Sequence, residues 1–437
     1  MSYEYICSLI NGKLASKENN EILEGKFKVD SKKIVVGDCF VAINNGYKYI
    51  DEAIENGAKL IITEKDIIDK TVSIIKVDNV IDAIGLLGLE IRERNIDKSV
   101  VAITGSVGKT TTKELISAIL EKKYKVLKTE GNMNNEIGVP ITLFNLDESY
   151  DICVLELGMN HLKEISYLSK IIKPNDAIIT NIGTSHIGYL KSKKNILKAK
   201  SEILDGMENG TLFINGDDKY LNKIKYKNKY KVGIGNNNDL VAANIITTQN
   251  KLYFNIRYSG RTHNIVFNIP NKALITNILL AIAIGIRYGV NIEDIISSIE
   301  EYKPVKHRNN VLKLSSNIIL IDDCYNCSYE SFTSGIEQLK QYSEDKLVIF
   351  GDILELGKYS KKIHKKIGHI LNKNKYNSLL VGNESKYSSN KYSLNFKNNQ
   401  ELIKYLDKVN LKNIVIYIKG SHGMKLEEIR DYIIKKY

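Results

Sequence analysis

Short apolar runs alternate with longer amphipathic stretches along most of this chain. Ser99-Val-Val-Ala-Ile-Thr104 and Ile152-Cys-Val-Leu-Glu-Leu157 are almost wholly apolar, the pattern of strands covered on both faces. Between and around them, period-3.6 patterns predict helices near 81–94, 111–122 and 162–171, followed by a strand at 176–181. The first eighty residues mix shorter elements. Residues 34–43 read as a turn feeding a strand, and 49–57 as a helix closed by Gly57 before the strand 59–63. From 211 to 270 short strands with asparagine-rich turns predict a mixed-sheet extension. Lys272 to Tyr288 is an apolar helix, and the next runs to Glu300 with Asn291 placed to cap its start. After Pro304 a second α/β rhythm begins: strands at 317–321, 346–350, 377–381 and 413–418, with helices near 329–341, 360–372 and 424–435. The expected organisation is three α/β modules, 1–80, 81–303 and 304–437.

The chemistry concentrates where the strand at 99–104 runs into Gly105-Ser-Val-Gly-Lys-Thr-Thr-Thr112. Glycines let backbone N–H groups turn toward an anion, the helix start adds positive potential, and Lys109 supplies a mobile cation. The Thr110 hydroxyl follows at the position that helps hold Mg²⁺. The strict G-x-x-x-x-G-K-[ST] spacing is not met, since residue 103 is Ile. The strand–loop–helix context nevertheless points to a nucleoside triphosphate.

A chain of 437 residues, 43% apolar and 26% charged, is long enough for two or three globular domains. The net charge of +12 comes mostly from dispersed lysine, so it supports anionic small-molecule substrates rather than nucleic acid. No apolar run is long enough to span a bilayer, and Met1-Ser-Tyr-Glu-Tyr-Ile lacks the basic and apolar regions of a secretory signal. Five cysteines form no disulfide framework. Cys324 and Cys327 have C-x-x-C spacing without a second pair, so metal or redox chemistry is not expected there. The expectation is a cytoplasmic protein without stable membrane insertion.

Other polar residues fall at expected strand ends. Glu156 closes an apolar strand where doubly wound sheets gather ligands, and with Thr110 it is a candidate Mg²⁺ ligand; capping is the plain alternative. His186 lies in a glycine-bounded loop after the strand at 176–181, a polar and functional setting. Lys200, by periodicity alone, is a solvated helix residue. The segment Glu130-Gly-Asn-Met-Asn-Asn-Glu-Ile-Gly-Val-Pro140 offers the amides of Asn132, Asn134 and Asn135 to a phosphate-bearing substrate. Arg308 and the run Ile321-Asp-Asp-Cys-Tyr-Asn-Cys-Ser328 sit where they can face a nucleotide.

In combination these segments resemble the Mur ligases. The resemblance is carried by Thr104–Glu114, Gly131–Pro140, Glu156-Leu-Gly-Met-Asn160, Asp322-Asp-Cys-Tyr-Asn326, Gly351-Asp-Ile-Leu-Glu-Leu-Gly357 and Lys419-Gly-Ser-His-Gly-Met424, in family order. It implies an N-terminal UDP-substrate-binding domain, a central P-loop ATP-binding domain built on a parallel sheet, and a Rossmann-like C-terminal domain. It implies ATP-dependent amide-bond formation between UDP-N-acetylmuramoyl-tripeptide and D-alanyl-D-alanine in peptidoglycan synthesis, by a monomer, with ATP and Mg²⁺ as cofactors. Gly105, Ser106, Val107, Gly108, Lys109, Thr110 and Thr111 would bind ATP, with Asn277, Arg308, Asp323 and Asn326 facing the nucleotide. Thr110, Glu156, His186 and Lys200 would organise metal, Lys200 matching a position carbamylated in relatives, with the unmodified lysine as alternative. The catalytic set implied is Lys109, Glu156, His186 and Lys200; Ser31, Asn132, Asn134 and Asn135 would contact substrate, and Lys419 opens a motif near the cleft.

The chain departs from the family at several places. Asp30-Ser31-Lys32 stands for the usual Asp-Ser-Arg, and Asn44-Asn-Gly-Tyr-Lys-Tyr49 replaces a longer glycine-aspartate-histidine segment. The segment 271–277 keeps Asn277 but lacks the customary histidine, the Asp322 motif lacks its proline, and Lys163 stands where glycine is frequent. Two alternatives follow: a paralogue with another carboxylate acceptor, and a nucleotide-dependent switch or binding module without ligase activity.

Overall fold

A computed structural model describes residues 1–15, 21–67 and 71–437. Its described strands form four sheets. The first has five strands; Phe27–Lys28, Cys39–Val41, Leu60–Thr63 and Ser73–Lys76 pair in parallel, and Lys13–Ala15 closes the edge antiparallel. The second has seven, ordered Leu240–Val241, Lys229–Gly233, Thr211–Asn215, Asp176–Ile179, Ser99–Thr104, Ile152–Glu156, Val126–Lys128. Ile152–Glu156 is parallel to both its neighbours and buried at every position, as its unbroken apolar run requires. The last sheet has six strands, parallel except for the edge strand Asn310–Leu314.

The expected mixed-sheet extension resolves into two things. Strands 211–215, 229–233 and 240–241 continue the seven-stranded sheet with parallel pairing. Ala243–Thr247, Leu252–Tyr258 and Arg261–Phe267 instead form a separate antiparallel sheet. The reason is visible in Leu252–Tyr258, where buried and wetter positions alternate, the mark of a strand with one solvated face. Asn291 occupies the cap position of the helix Ile292–Glu301, but its side chain makes no capping bond; Glu293 and Asp294 in the first turn supply the favourable charge instead. Sequence reading also passed over Asn310–Leu314, Ser393–Phe396 and the helix Asn399–Asp407, which are short or strongly polar.

The described chain packs into two compact units. One comprises Met1–Thr104, Lys123–Ala177 and Ser201–Thr211; the other comprises Gly105–Lys122, Ile178–Lys200 and Leu212–Tyr437. In the first, the helix Val80–Arg94 packs on Gly138–Leu143 and Glu164–Ile172. Arg92 is fully buried there, and its Nε donates to the Ile172 carbonyl at 2.7 Å and its Nη1 to the Asn95 carbonyl at 2.5 Å. A guanidinium thus satisfies orphan carbonyls at one helix end, where its charge also suits the dipole.

In the second unit, Lys109–Leu120 packs along Ile275–Arg287. Ile275 through Gly285 is buried almost all round, apart from Thr276. Each isoleucine or leucine so covered contributes about 1.5–3 kcal/mol, which fixes the helix that begins at the glycine-rich loop.

Candidate functional site: a phosphate cradle and its supports

The cradle is built from backbone held by side chains of one neighbouring strand end. Asn181 Oδ1 accepts from the Val107 amide at 3.0 Å while its Nδ2 donates to the Val107 carbonyl at 2.8 Å. Thr180 Oγ1 donates to the same carbonyl at 2.6 Å. Ser106 is buried; its amide donates to the Asn181 carbonyl at 3.1 Å, and its hydroxyl accepts from the Gly183 amide at 2.8 Å. Lys109 Nζ folds back onto the Gly105 carbonyl at 3.0 Å. Thr110 is buried in the first turn of the helix, and Thr111 follows it. Thr180 and Asn181 were missed in the sequence, where they are only two polar residues ending an apolar strand.

Gly108 has φ +87°, and a Cβ there would lie 2.5 Å from the Asn277 amide nitrogen. Two independent reasons therefore require glycine, left-handed backbone and close approach. They also locate Asn277: it is buried against the cradle.

In the other unit, Glu156 is buried at the end of its strand, and its Oε1 accepts from Asn134 Nδ2 at 2.8 Å. Asn134 is thus tied to a carboxylate. Asn135 Oδ1 accepts from the Gly138 amide at 2.9 Å, a local capping role, while Asn132 is exposed. Ser31 is buried, its hydroxyl donating to Glu52 Oε2 at 2.5 Å. Lys163 explains the glycine frequent at its position: its φ is +74°, and its amide donates to both Glu202 oxygens, at 2.9 and 2.8 Å.

His186 has φ +59° and its Nδ1 lies 2.7 Å from Glu355 Oε2, a close polar contact short of good hydrogen-bond alignment. The His186 side chain holds the Glu355 carboxyl below the usual range, overcoming burial, with Lys109 adding to the effect. Glu355 lies in the quoted motif 351–357 but was assigned no role; it too has positive φ, +63°. Lys200 is 1% exposed, against its surface reading from periodicity. Lys200 lies with Ile196 and Ala199 on the buried side of the helix Lys193–Ser201, four and one residues after them, so the packed face carries the lysine inward.

The motif at 322–326 is organised from below by Lys419. Lys419 is buried and pairs with Asp323; its Nζ also donates to the Asn326 carbonyl at 3.1 Å. Tyr417 donates to Asp323 at 3.1 Å. Asn326 Oδ1 accepts from the Cys327 amide at 2.8 Å. The Arg308 guanidinium lies over the Tyr325 ring, 4.1 Å from its centroid. All five cysteines are free thiols. Burial pushes Cys327 up to about 12, so it is an inert core residue. Cys324 lies near Asp322 and His307, but Arg430 pairs with that aspartate at 3.2 Å and fills the cluster with positive charge.

Mg²⁺ prefers oxygen donors; Glu156 offers a buried carboxylate in the first unit, and Thr110 a buried hydroxyl in the second. No helix among the described residues is long and apolar enough to cross a membrane.

Residues 103–285 match the family model of the Mur ligase middle domain. The chain is 31% identical to the UDP-N-acetylmuramoyl-tripeptide–D-alanyl-D-alanine ligase of Haemophilus influenzae, over 98% of this chain and 97% of that protein. It is 30% identical to the enzyme of the same name from Bacillus subtilis, over 97% and 96%. Among solved structures, MurF from Acinetobacter baumannii superimposes with a TM-score of 0.90 at 26% identity, covering 100% of this chain and 99% of that one. MurF ligase from Thermotoga maritima, solved in complex with ADP, gives 0.84 at 28% identity, covering 95% and 98%. With likeness of this extent along the whole chain, and the phosphate cradle inside the matched middle domain, the chain belongs to the Mur ligase family, on the branch of the UDP-N-acetylmuramoyl-tripeptide–D-alanyl-D-alanine ligases.

Proposed function

We propose that this chain joins D-alanyl-D-alanine to UDP-N-acetylmuramoyl-tripeptide, converting ATP to ADP and phosphate. The observation that carries the reading is the cradle at 105–111, its backbone fixed by Thr180 and Asn181 and its lysine at the phosphate end. The names of the relatives supply the substrates, and the ADP complex of the Thermotoga maritima protein supports the nucleotide. We assign the UDP-linked substrate to residues 1–80, ATP to 81–303, and the covering nucleotide contacts to 304–437. The protein acts as a monomer in the cytoplasm.

The tripeptide carboxylate attacks the γ-phosphate in line, giving an acyl phosphate and ADP. The dipeptide amine then attacks the acyl carbonyl, and the tetrahedral intermediate expels phosphate. Lys109 and the amides of 105–110 neutralise charge on the transferring phosphoryl group. By resemblance to the family, Thr110, Glu156, His186 and Lys200, the last as its carbamate, would hold or organise Mg²⁺. When bound, the ion screens the triphosphate and favours its attack by an anionic carboxylate. Asn277 keeps the cradle in register, Arg308, Asp323 and Asn326 contact the nucleotide, and Asn132, Asn134 and Asn135 line the substrate approach. Covering the acyl phosphate excludes water, its chief competitor.

A second reading, a paralogue using another acceptor, is favoured by Ser31, whose hydroxyl is engaged by Glu52. Phosphate release from ATP, with mass detection of product, separates the readings. Release that requires both the tripeptide nucleotide and D-alanyl-D-alanine, with a UDP-pentapeptide formed, is the expected outcome. ATP turnover without product points to the other acceptor or to a nucleotide switch, and sinks the proposal. Carbon-13 bicarbonate in the same preparation gives a carbamate resonance that Lys200→Ala removes; its absence sinks that modification.

A further inference from the structure

The loop that carries His186 is held from outside by a carboxylate with no role so far. Glu330 lies in the first turn of the helix Tyr329–Leu339, four residues beyond Asn326. Its Oε2 accepts from the Thr184 amide at 3.0 Å and from the Thr184 hydroxyl at 2.7 Å; its Oε1 lies 3.2 Å from Lys193 Nζ. Between these partners and the cradle stands Gly183, where a Cβ would come within 2.9 Å of the Glu330 carboxyl and 3.1 Å of Ser106 Cβ. Gly183 donates to the Ser106 hydroxyl, and Ser185 donates to the Ser106 carbonyl at 3.1 Å. One turn further along the same helix, Ser334 donates to Asn271 at 3.0 Å.

We propose that Glu330 is a positioning residue that fastens the loop 182–186 against the phosphate cradle, so that the segment contacting the nucleotide at 323–326 and the segment supporting its phosphates move as one body. The chemistry selects a carboxylate: one group must accept from an amide and a hydroxyl while balancing an ammonium, which no neutral side chain does fully. A helix start is also where a carboxylate is favoured by the dipole. Since the anchor and the Asp323–Asn326 motif share one short stretch of chain, displacement of either is felt at the other. The inference rests on the ATP reading of the cradle.

The test compares full-length wild type, E330A, E330Q, T184V and E330A/T184V by ADP titration, by the KM for ATP against kcat, and by melting temperature. E330A is expected to raise the ADP Kd and the KM for ATP about fivefold or more, with a smaller effect on kcat and little change in melting temperature. E330Q, whose amide oxygen still accepts from Thr184, recovers part of the loss. E330A/T184V is expected to be no worse than E330A, because both act through one contact. An ADP Kd within twofold of wild type in E330A overturns the inference, as do multiplying effects in the double variant. If E330A does not fold, E330Q and T184V decide: unchanged nucleotide binding in both overturns it. Wild type that fails to bind ADP overturns the nucleotide reading first, and this inference with it.

Discussion

Lys419→Met tests whether the C-terminal lysine organises the nucleotide-facing loop or touches the nucleotide itself. Lys419 is 2% exposed and Asp323 about a fifth exposed, with carbonyls of Asp323 and Asn326 completing the ammonium's partners. Removing one member of a buried pair costs about 3–5 kcal/mol, because the other is left uncompensated. Here the carboxylate reaches solvent and keeps the Tyr417 hydroxyl, so the lower end is discounted to about 2–3 kcal/mol. Methionine fills the stem of the lysine, so little cavity cost is added. Hydrogen-exchange mass spectrometry on peptides from 318–326 and 414–424 reads the local opening free energy without treating the whole chain as one cooperative unit. With Asp323→Asn as the second variant, the double change should cost about 1–2 kcal/mol less than the sum of the singles. Additive losses, or loss of ADP affinity with local opening unchanged, refute the positioning account and put Lys419 on the nucleotide.

Gly108→Ala combines left-handed backbone with a collision at Asn277, worth about 1–3 kcal/mol; ADP binding should weaken at least tenfold, and calorimetry giving wild-type affinity contradicts the cradle geometry. His364 gives a pH dependence. Its Nε2 accepts from the Ile353 amide at 3.1 Å and its Nδ1 faces the Ser360 carbonyl at 2.9 Å, so the ring is neutral with its proton on Nδ1. Burial holds its pKa below 6.5, partly opposed by the Ser360 carbonyl. The unfolded state therefore takes up the proton first, and stability complete above about pH 6.5 is lost as pH falls through the folded value, by up to about 1.4 kcal/mol per pH unit. Exchange protection at 352–359, corrected for intrinsic rates, should fall on acidification in wild type and lose that slope in His364→Gln; parallel slopes reject the assignment.

The strand at 99–104, its glycine-rich turn and the helix after it were legible because each level pointed the same way: an unbroken apolar run, residues that free the backbone, then helical periodicity. The strand Ile152–Glu156 and the second α/β rhythm were legible for the same reason. Short or polar elements such as Ser393–Phe396 carried too little apolar signal. Lys163 appeared anomalous until its positive φ gave the reason glycine is common there.

What sequence alone determined was therefore local: where strands and helices run, which loop cradles phosphate, and through resemblance which family the chain joins. Tertiary structure decided the partners. That Asn181 fixes the Val107 amide, that Lys419 lies beneath Asp323, that Lys200 is buried and that Glu330 reaches Thr184 all depend on groups far apart in sequence. Periodicity records which side of an element is apolar. Which polar group meets which is set by the packing of whole elements, and that is written in no single stretch of chain.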